Sequence, residues 1–337
     1  MVQQFSPQYS AGSYSPEFPR LDLAQFGEIA VLFNPCSKRA AERDPALFNL
    51  QAAQSLHGLA VHEQETAPTV EQNIELLKTV GKDAIIGLWS GDGGASKVMQ
   101  AAQRLGLPNP FLVLPGGTKN DIARMAAGKR WLADPAKLVL EGRVAETNPI
   151  DIRVSNGGEE QWLQAIAYQS FGVTGDVTHT VNTPEYRDYV KETRQKRLGE
   201  ARIWAGERII ANNAFMHAKR FTTNHRGVLE PAIDVVIANG GRMAGGSIRP
   251  RVDFFLQEAR FITVASRLKG LPKVAGMMFH AGVGEAFGPL TTPVMHVSGA
   301  EQIRMQIDGD EVAMPAEASF SWDIAAKGLR IITSRRI

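Results

Sequence analysis

The sequence predicts a two-domain α/β protein: a domain built on a parallel sheet, followed by an antiparallel sandwich or barrel. Up to about residue 146, short apolar stretches alternate with amphipathic ones, which is typical of strands buried on both faces of a parallel sheet. After about residue 147 the apolar pattern shifts to a period of two, with Gly, Asn and Pro between the segments. A length of 337 residues with 44% hydrophobic content is enough for two cores.

The elements of the first domain, residues 28–146, follow in order. Residues 1–27 are rich in Ser, Pro and Gln, so we expect a mobile arm or a segment without a role. Thr69 begins a helix with a capping box completed by Gln72. Apolar runs predict strands at 28–33, 59–66, 83–89 and 111–115. Helical spacing predicts helices at 46–60, 69–81, 95–107 and 120–132.

The second domain is assigned to residues 147–320, and residues 321–337 are expected to form a last strand that can return to the first domain. One helical piece, residues 185–216, interrupts the β pattern. Strands are predicted at 148–155, 160–171, 232–240, 252–257, 259–266, 294–299, 301–308, 310–315 and 329–334.

Composition bounds the class of protein. A net charge of +2 and a pI of about 8.6 give no strong field, so nucleic acid is not expected as a partner. The single cysteine, Cys36, excludes an intramolecular disulfide and fits a reducing compartment. We expect no secretory signal, because residues 1–12 have neither a basic start nor an apolar stretch, and no apolar run approaches 18 residues. We therefore expect a cytoplasmic setting, in solution or at a membrane surface, and leave a homodimer open.

Unusual residues follow three predicted strands of the first domain. They are Asn34-Pro35, SGDGG at 90–94 and GGTKND at 116–121. In an open α/β sheet, ligands collect at the carboxyl ends of the strands. Glycines let the backbone approach a phosphate closely, and the amides at a helix start point toward an anion. These turns therefore predict a nucleotide phosphate site.

The turn at 90–94 places a carboxylate, Asp92, among three glycines. A carboxylate suits a phosphate site if a metal ion sits on the phosphates or if it handles a proton. In the turn at 116–121, Thr118 is expected either to cap the next helix or to bind the same phosphates. Asn120 and Asp121 lie beside it.

Either turn alone is weak evidence, because Asp-Gly and Gly-Gly are common in loops. The sequence has no GxxxxGK[ST] and no GxGxxG, so a P-loop and the dinucleotide fingerprint are excluded. The seven histidines show no metal-ligand spacing, so a transition-metal site is not expected. Two such turns about 25 residues apart, each between an apolar strand and an amphipathic helix, favour phosphate chemistry.

The two turns, one earlier motif and three later motifs resemble the catalytic domain of diacylglycerol and sphingosine kinases, a superfamily that includes NAD kinases. The signature of that family is Gly-Gly-Asp-Gly-Thr or Ser-Gly-Asp-Gly, followed by Pro-x-Gly-Thr-Gly-Asn-Asp. The matching stretches here are Ser90-Gly91-Asp92-Gly93, residues 115–121, Asn34-Pro35-x-Ser37, FGVTGDV at 171–177, Asn239-Gly240 with Gly245-Gly246 and Pro250, and Asp308-Gly309-Asp310.

The resemblance implies an α/β nucleotide domain of the NAD-kinase and diacylglycerol-kinase type, a β-sandwich acceptor domain, and phosphorylation of a lipid hydroxyl by ATP with Mg²⁺ in the cleft between them. Asp92 would serve metal or proton transfer. The residues implied to contact the nucleotide are Asn34, Ser90, Gly91, Gly93, Gly94, Lys97, Gly117, Thr118, Asn120 and Asp121.

Three later acidic residues gain a role from the resemblance. Asp308-Gly309 lies between two strand-like stretches and by spacing alone is a hairpin turn. The family parallel makes Asp308 the alternative general base and Asp310, in place of the usual Glu, a metal ligand. Asp176 is a loop residue by itself; by resemblance it contacts the polar head of the acceptor.

The sequence also departs from the family pattern. Gly94 stands where the family usually has Thr, and Lys97 where it has Glu. Lys97 is expected either to meet a phosphate or to extend into water, and Lys119, in place of a glycine, adds another phosphate contact. Leu256-Gln257 replace the Asp-Gly of bacterial lipid kinases, which puts a structural magnesium site there in doubt.

Residues 187–226, called the basic segment below, contain ten Lys/Arg and four Asp/Glu, a net charge of +6. Apolar residues are interleaved with these charges. The segment is either a basic amphipathic element that touches anionic lipid headgroups or a solvated helix face that caps the sandwich.

Three hypotheses of function remain. The first is a Mg²⁺- and ATP-dependent lipid kinase. The second is a catalytically dead relative that binds nucleotide or lipid, which the residues at 94 and 97 favour. The third is a kinase of a soluble alcohol.

Overall fold

The structure is a computed structural model, and it describes residues 18–37, 58–117, 119–128, 134–196, 200–225, 228–243, 253–255, 257–265, 285–287, 293–298, 303–313 and 317–335. The helix predicted over residues 46–60 lies outside the described residues, apart from its last three positions, which lead into the second strand.

The first sheet has six strands among the described residues, in the order β2-β1-β3-β4-β17-β5. They are β1 (Glu28–Phe33), β2 (Ala60–Glu65), β3 (Ala84–Ser90), β4 (Phe111–Pro115), β5 (Arg143–Thr147) and β17 (Leu329–Thr333). The pairs are parallel except at the edge, where β5 runs antiparallel to β17. The last strand of the chain therefore lies within the first sheet.

Helices cover both faces of this sheet. They are α1 (Val70–Leu77), α2 (Asp92–Leu105), α3 (Asp121–Ala127) and α4 (Pro135–Glu141). Alternate residues of β3 enter two different apolar clusters: Ile86 and Leu88 pack on one face, Ile85 and Trp89 on the other. Continuous apolar strands are what burial on both faces requires.

The predicted arm of residues 1–27 does not extend to residue 27. The amide of Leu21 donates to the carbonyl of Gly142 at 3.0 Å, and the Phe18 ring meets the Phe255 ring edge-on at 5.4 Å. Residues 18–27 therefore pack against the first domain, because Leu21 and its neighbours supply apolar side chains that it buries. Residues 1–17 lie outside the described residues.

The second domain is an antiparallel sheet of 11 strands among the described residues, which confirms the predicted fold class. They are β6 (Ile150–Asn156), β7 (Glu159–Ala165), β8 (Tyr168–Gly172), β9 (Phe221–His225), β10 (Val228–Ala238), β11 (Ala259–Ala265), β12 (Glu285–Phe287), β13 (Val294–Ser298), β14 (Met305–Ile307), β15 (Asp310–Val312) and β16 (Ala318–Ile324).

Three predicted elements of this domain differ from the structure. The strand expected over 160–171 is two strands, because the chain breaks at Ile166-Ala167. No strand is present in the described part of 252–257, where two Phe side chains turn into the core. The helical piece is longer than expected and comprises α5 (Val173–Asn182), α6 (Pro184–Gln195) and α7 (Glu200–Met216).

The two domains share an apolar core. One cluster joins Val98 and Ile122 of the first domain to Ile166, Val236 and Phe254 of the second. Because one core spans the boundary, the residues on either side of the cleft are held in fixed positions relative to each other.

Among the described residues, no helix is both long and apolar enough to cross a membrane.

A buried carboxylate in the second domain makes stability depend on pH. Asp234 follows a bulge in β10, and its Oδ1 accepts bonds from the amide (3.1 Å) and hydroxyl (2.7 Å) of Thr174 at the start of α5. Burial raises the pKa of Asp234 to about 8. The folded state thus binds a proton that the unfolded state has lost above about pH 4, so stability falls as the pH rises from about 4 to 8.

Asp234→Asn is expected to remove this contribution and to flatten the decline by up to about 1.4 kcal/mol per pH unit. Asn keeps the acceptor oxygen for Thr174, so the cap of α5 survives. Urea unfolding midpoints at pH 5, 6, 7 and 8 measure the effect, with Asp188→Asn, at an exposed position on α6, as the control. A slope in Asp234→Asn equal to that of the wild type would contradict the assignment.

Candidate active site

The two glycine turns pack directly against each other at the carboxyl ends of β3 and β4. The amide of Gly116 donates to the carbonyl of Ser90 at 3.0 Å. A Cβ on Gly116 would lie 2.6 Å from the Ser90 nitrogen, and one on Gly117 would lie 2.5 Å from the Gly91 Cα. Both contacts are with backbone, so only glycine allows this approach.

Helix α2 begins at Asp92, earlier than predicted, so residues 92–94 form its first turn. Gly91 is the N-cap: its backbone is extended and its carbonyl accepts from the Ala95 amide at 2.9 Å. The first amides of a 14-residue helix therefore point toward the edge of the sheet where the turns meet. Such a helix start attracts phosphate.

Asp92 joins the two turns. Its Oδ1 accepts from the Ile122 amide at 2.9 Å and so caps the first turn of α3. Burial, followed by the charge of the nearby Asp121 carboxylate and, more weakly, that of Asp308, raises the pKa of Asp92 to about 7. A carboxyl group that is about half protonated at neutral pH can both accept and release a proton.

Asn120 holds the second turn closed. Its backbone is left-handed (φ 54°), its Oδ1 accepts from the Gly117 amide at 2.7 Å, and its Nδ2 donates to the Gly117 carbonyl at 2.8 Å. The side chain is buried and committed to Gly117 at both ends, so it shapes the turn. Thr118, predicted as a phosphate ligand or cap, lies outside the described residues.

Asp121 and Asn34 lie on opposite sides of the turns. Asp121 is fully buried, with its Oδ1 3.9 Å from Nε of Arg242 in the second domain. Asn34 follows β1 and its Oδ1 accepts from the Cys36 amide at 2.9 Å. Its Nδ2 is 3.4 Å from the place where a Cβ on Gly94 would sit.

Gly94 has a structural reason for lacking a side chain. A Cβ there would overlap the Ser90 hydroxyl, whose oxygen is buried. A Thr in this position would have to displace that hydroxyl. The departure from the family pattern at 94 is therefore matched to the rotamer of Ser90.

Lys97 is paired with the late acidic motif. Its Nζ lies 2.7 Å from Oδ2 of Asp310, and the Asp310 carboxylate is so close to Gly93 that a Cβ there would overlap it. Both side chains are about one-third exposed. The Lys97 cation therefore stands beside the first turn of α2, where the phosphates are expected.

Asp308 is a buried junction between the domains. Its Oδ2 accepts from the Ser96 hydroxyl (2.5 Å) and the Ile166 amide (2.7 Å), and its Oδ1 from the amides of Ala167 and Tyr168 (both 2.9 Å). Burial raises the pKa of Asp308, although these donors oppose the rise. Four donors occupy both oxygens, which suits holding the domains together better than accepting a proton.

Sequence reasoning missed three residues of this site: Ser96, Gln100 and Tyr168. Gln100 donates to the Ser96 hydroxyl at 2.9 Å, so a polar pair one turn apart lies on the buried face of α2. Two polar residues at i and i+4 among Ala, Val and Met were the available signal. The buried Tyr168 has its pKa raised by burial and by the carboxylates of Asp121, Asp92 and Asp308.

Asp176 lies in the first turn of α5 and reaches the late motif through an ion-pair cluster. Arg304 Nε is 3.5 Å from Asp176 Oδ1, and Arg304 Nη1 is 2.7 Å from Glu311 Oε1. On the same helix, Asn182 donates to the Gly309 carbonyl at 2.9 Å. Helix α5 therefore carries Asp176 alongside the hairpin of Asp308 and Asp310.

Lys119 does not face the phosphate turns as expected. Its Nζ pairs with Glu207 and lies 4.3 Å from the centre of the Trp204 ring, both on α7. The second glycine turn is thereby connected to the basic segment.

Among the described residues, no group of three or more His, Cys, Asp and Glu side chains is placed to hold a metal ion.

Comparison with known proteins agrees with this geometry. Residues 28–153 match the sequence model of the diacylglycerol kinase catalytic domain. A search of curated proteins finds no match.

Solved structures share the fold over about nine-tenths of the chain. A crystal structure from Bacillus anthracis strain Sterne, assigned as a diacylglycerol kinase, aligns at 15% identity with a TM-score of 0.61, covering 91% of this chain and 97% of that chain. A second diacylglycerol kinase structure from that strain aligns at 14% identity and a TM-score of 0.58, over 91% and 96%. Yeast NADH kinase complexed with NADH aligns at 10% identity and a TM-score of 0.51, over 92% and 84%.

Identities this low establish the fold alone, and the sequence model matches less than half of the chain. Residues 28–153 contain both glycine turns and Asp92. Over this part of the chain, the sequence is therefore similar to the diacylglycerol kinase catalytic domain.

Proposed function

We propose that this chain transfers phosphate from ATP to the hydroxyl group of a lipid. The observation that carries the proposal is Asp92, a carboxylate with a pKa of about 7 that connects the two glycine turns. Phosphoryl transfer needs phosphates in position, charge neutralisation and a group that takes the hydroxyl proton. Each requirement has a candidate residue at this site.

The phosphates would lie against the backbone of Gly91, Gly93 and Gly117, at the start of α2. Lys97 supplies a fixed positive charge beside them. Mg²⁺, when bound, neutralises phosphate charge, and in kinases it is held by one or two carboxylates together with the phosphates. Asp310, whose carboxylate lies beside Gly93, is the side chain that would contact it, and Asp92 is the alternative ligand if it does not take the proton.

We assign the proton to Asp92 and not to Asp308. Oδ1 of Asp92 accepts a hydrogen bond from the Ile122 amide in the first turn of α3. The pKa of Asp92 lies near neutral pH, which is the condition for general-base catalysis. Both oxygens of Asp308 already accept two bonds each. Asp308 in this proposal fixes the second domain against α2, and Asp176 at the start of α5 would contact the head of the acceptor.

A lipid acceptor is supported by the surface of α6 and α7. These helices carry most of the basic segment, and exposed apolar side chains lie among its charges: Tyr189, Trp204, Ile209 and Met216. Ile209 is 69% exposed. Basic residues with protruding apolar ones suit the surface of an anionic bilayer.

Ile209→Ser is therefore expected to weaken binding to anionic vesicles by about 5- to 30-fold, since burying one such side chain contributes about 1–2 kcal/mol. Sedimentation with phosphatidylglycerol vesicles measures this, and high salt should weaken the wild type further. Leu140→Ser, at an exposed position on α4, is the control. Equal binding to neutral and anionic vesicles would rule out contact between the basic segment and anionic lipid.

The acceptor is tested by ATP turnover against diacylglycerol, sphingoid bases, ceramide, soluble polyols and NADH. Turnover with a lipid alone supports the proposal, and turnover with a polyol or NADH alone would replace the lipid by a soluble acceptor. The Lys97–Asp310 pair favours one further candidate, a dead relative, because it occupies a carboxylate that a metal would need. ATP binding measured by calorimetry, without turnover on any acceptor, would select that candidate.

A further inference from the structure

A cavity lies where the two domains meet, at the end of α3 that is remote from Asp92. Its volume is about 350 Å³, and it is lined by Arg124 and Met125 of α3, Arg242 and Phe254 of the second domain, and Arg335 after β17. This is within the range of small-ligand sites. Neither glycine turn lines it.

The charge of this cavity is mainly positive. Arg335 Nη1 lies 2.6 Å from Asp253, and Arg242 Nε lies 3.9 Å from Asp121. Arg124 makes no ion pair with a carboxylate among the residues that the structure describes. Three guanidinium groups therefore line the cavity, and two of them lie near a carboxylate.

The cavity is also separate from the proposed phosphate site. Asp92 contacts the amide of Ile122 in the first turn of α3, whereas Arg124 and Gly128 come from its middle and end. At about 1.5 Å per residue, Gly128 lies roughly 9 Å along the helix from Ile122. A ligand here would not occupy the glycine turns.

We propose that this cavity binds a phosphate ester, with the phosphate held by Arg124, Arg242 and Arg335. The planar guanidinium group donates two parallel bonds to phosphate oxygens, which makes arginine the favoured residue for this anion. Met125 and Phe254 supply apolar walls for the carbon part of the ester. Because both domains contribute, the ligand also adds to the stability of their junction.

Calorimetry with glycerol 3-phosphate tests the site, using the wild-type chain, Arg124→Gln and Arg335→Gln. We expect each substitution to weaken binding by tenfold or more, because a charge-assisted bond contributes about 1.5–3 kcal/mol. Arg330→Gln is the matched control, since Arg330 is on β17 but donates to the Pro108 carbonyl away from the cavity. Circular dichroism shows whether each variant is folded. If only one of the two cavity variants folds, that variant alone is enough to test the site.

A second arm uses vesicles of phosphatidic acid against phosphatidylglycerol vesicles of equal charge. Arg124-dependent binding of glycerol 3-phosphate supports a soluble ester, and Arg124-dependent preference for phosphatidic acid alone supports a lipid headgroup. The proposal is overturned if the folded cavity variants bind both probes as the wild type does, or if the wild type binds neither. These outcomes do not depend on turnover, so they stand apart from the test of the kinase.

Discussion

Replacing Asp92 by Asn is expected to lower kcat by about 10³-fold and to leave the chain folded. A positioned base contributes about 10²–10⁴-fold to such reactions, and Asn cannot take the proton. The Asn oxygen can still accept from the Ile122 amide, so the cap of α3 persists. Removing a carboxylate whose charged form is disfavoured by burial should not reduce stability at pH 8.

The measurement is steady-state turnover of the best acceptor, with ADP affinity and thermal unfolding as companions. Asp83→Asn is the matched control, because Asp83 precedes the same strand at its opposite end and is exposed. The control should turn over normally. Near-normal turnover in Asp92→Asn would remove Asp92 from the chemistry.

The dependence of kcat on pH separates the two roles of Asp92. If Asp92 takes the proton, kcat in the wild type rises as the pH increases through about 7, where the carboxyl ionises. A bound metal ion would favour the ionised form and move this step well below pH 7. A flat profile between pH 6 and 8 therefore favours the metal role.

Lys97→Glu is expected to raise the KM for ATP by about 10- to 100-fold, with a smaller loss in kcat. The ammonium group would contact phosphate in both the ground and transition states, so its loss acts mainly on binding. The substitution also places a second carboxylate beside Asp310, which repels both Asp310 and the phosphates. The size follows from one charge-assisted contact of about 1.5–3 kcal/mol.

Lys97→Met separates the two effects, because it removes the cation without adding a carboxylate. Arg104→Glu, a charge reversal at the exposed end of the same helix, should leave the KM for ATP unchanged. A wild-type KM in Lys97→Glu would refute phosphate contact by Lys97 and leave the kinase proposal intact.

Local signals in the sequence were sufficient for the fold of the first domain and for the place of its site. Strand 84–90, the glycine turn and helix α2 follow one another within about 20 residues, and each has its own periodicity or turn chemistry. The carboxyl ends of parallel strands share one edge, so the two glycine turns had to meet. The sequence analysis places the start of α2 too late, because a glycine-rich first turn looks like a loop, and it misses helix α4 and edge strand β5.

Contacts across the chain could not be read from local signals. The Asp308 carboxylate accepts hydrogen bonds from the amides of residues 166–168, about 140 positions earlier. The sequence around either stretch contains no signal that the two are in contact. Lys119 was expected at the phosphates because it lies in a glycine turn, yet its partner is Glu207. In both cases the tertiary fold chooses the partner, and spacing along the chain carries no information about it.

The place of β17 in the first sheet has a consequence for biosynthesis. Strand β4 and edge strand β5 are both neighbours of residues 329–333, so the sheet stays incomplete while the second domain is being translated. The first domain thus cannot finish folding first, as a leading domain usually does on the ribosome. Until residues 329–333 emerge, an open strand edge of β4 remains exposed to pairing with other chains.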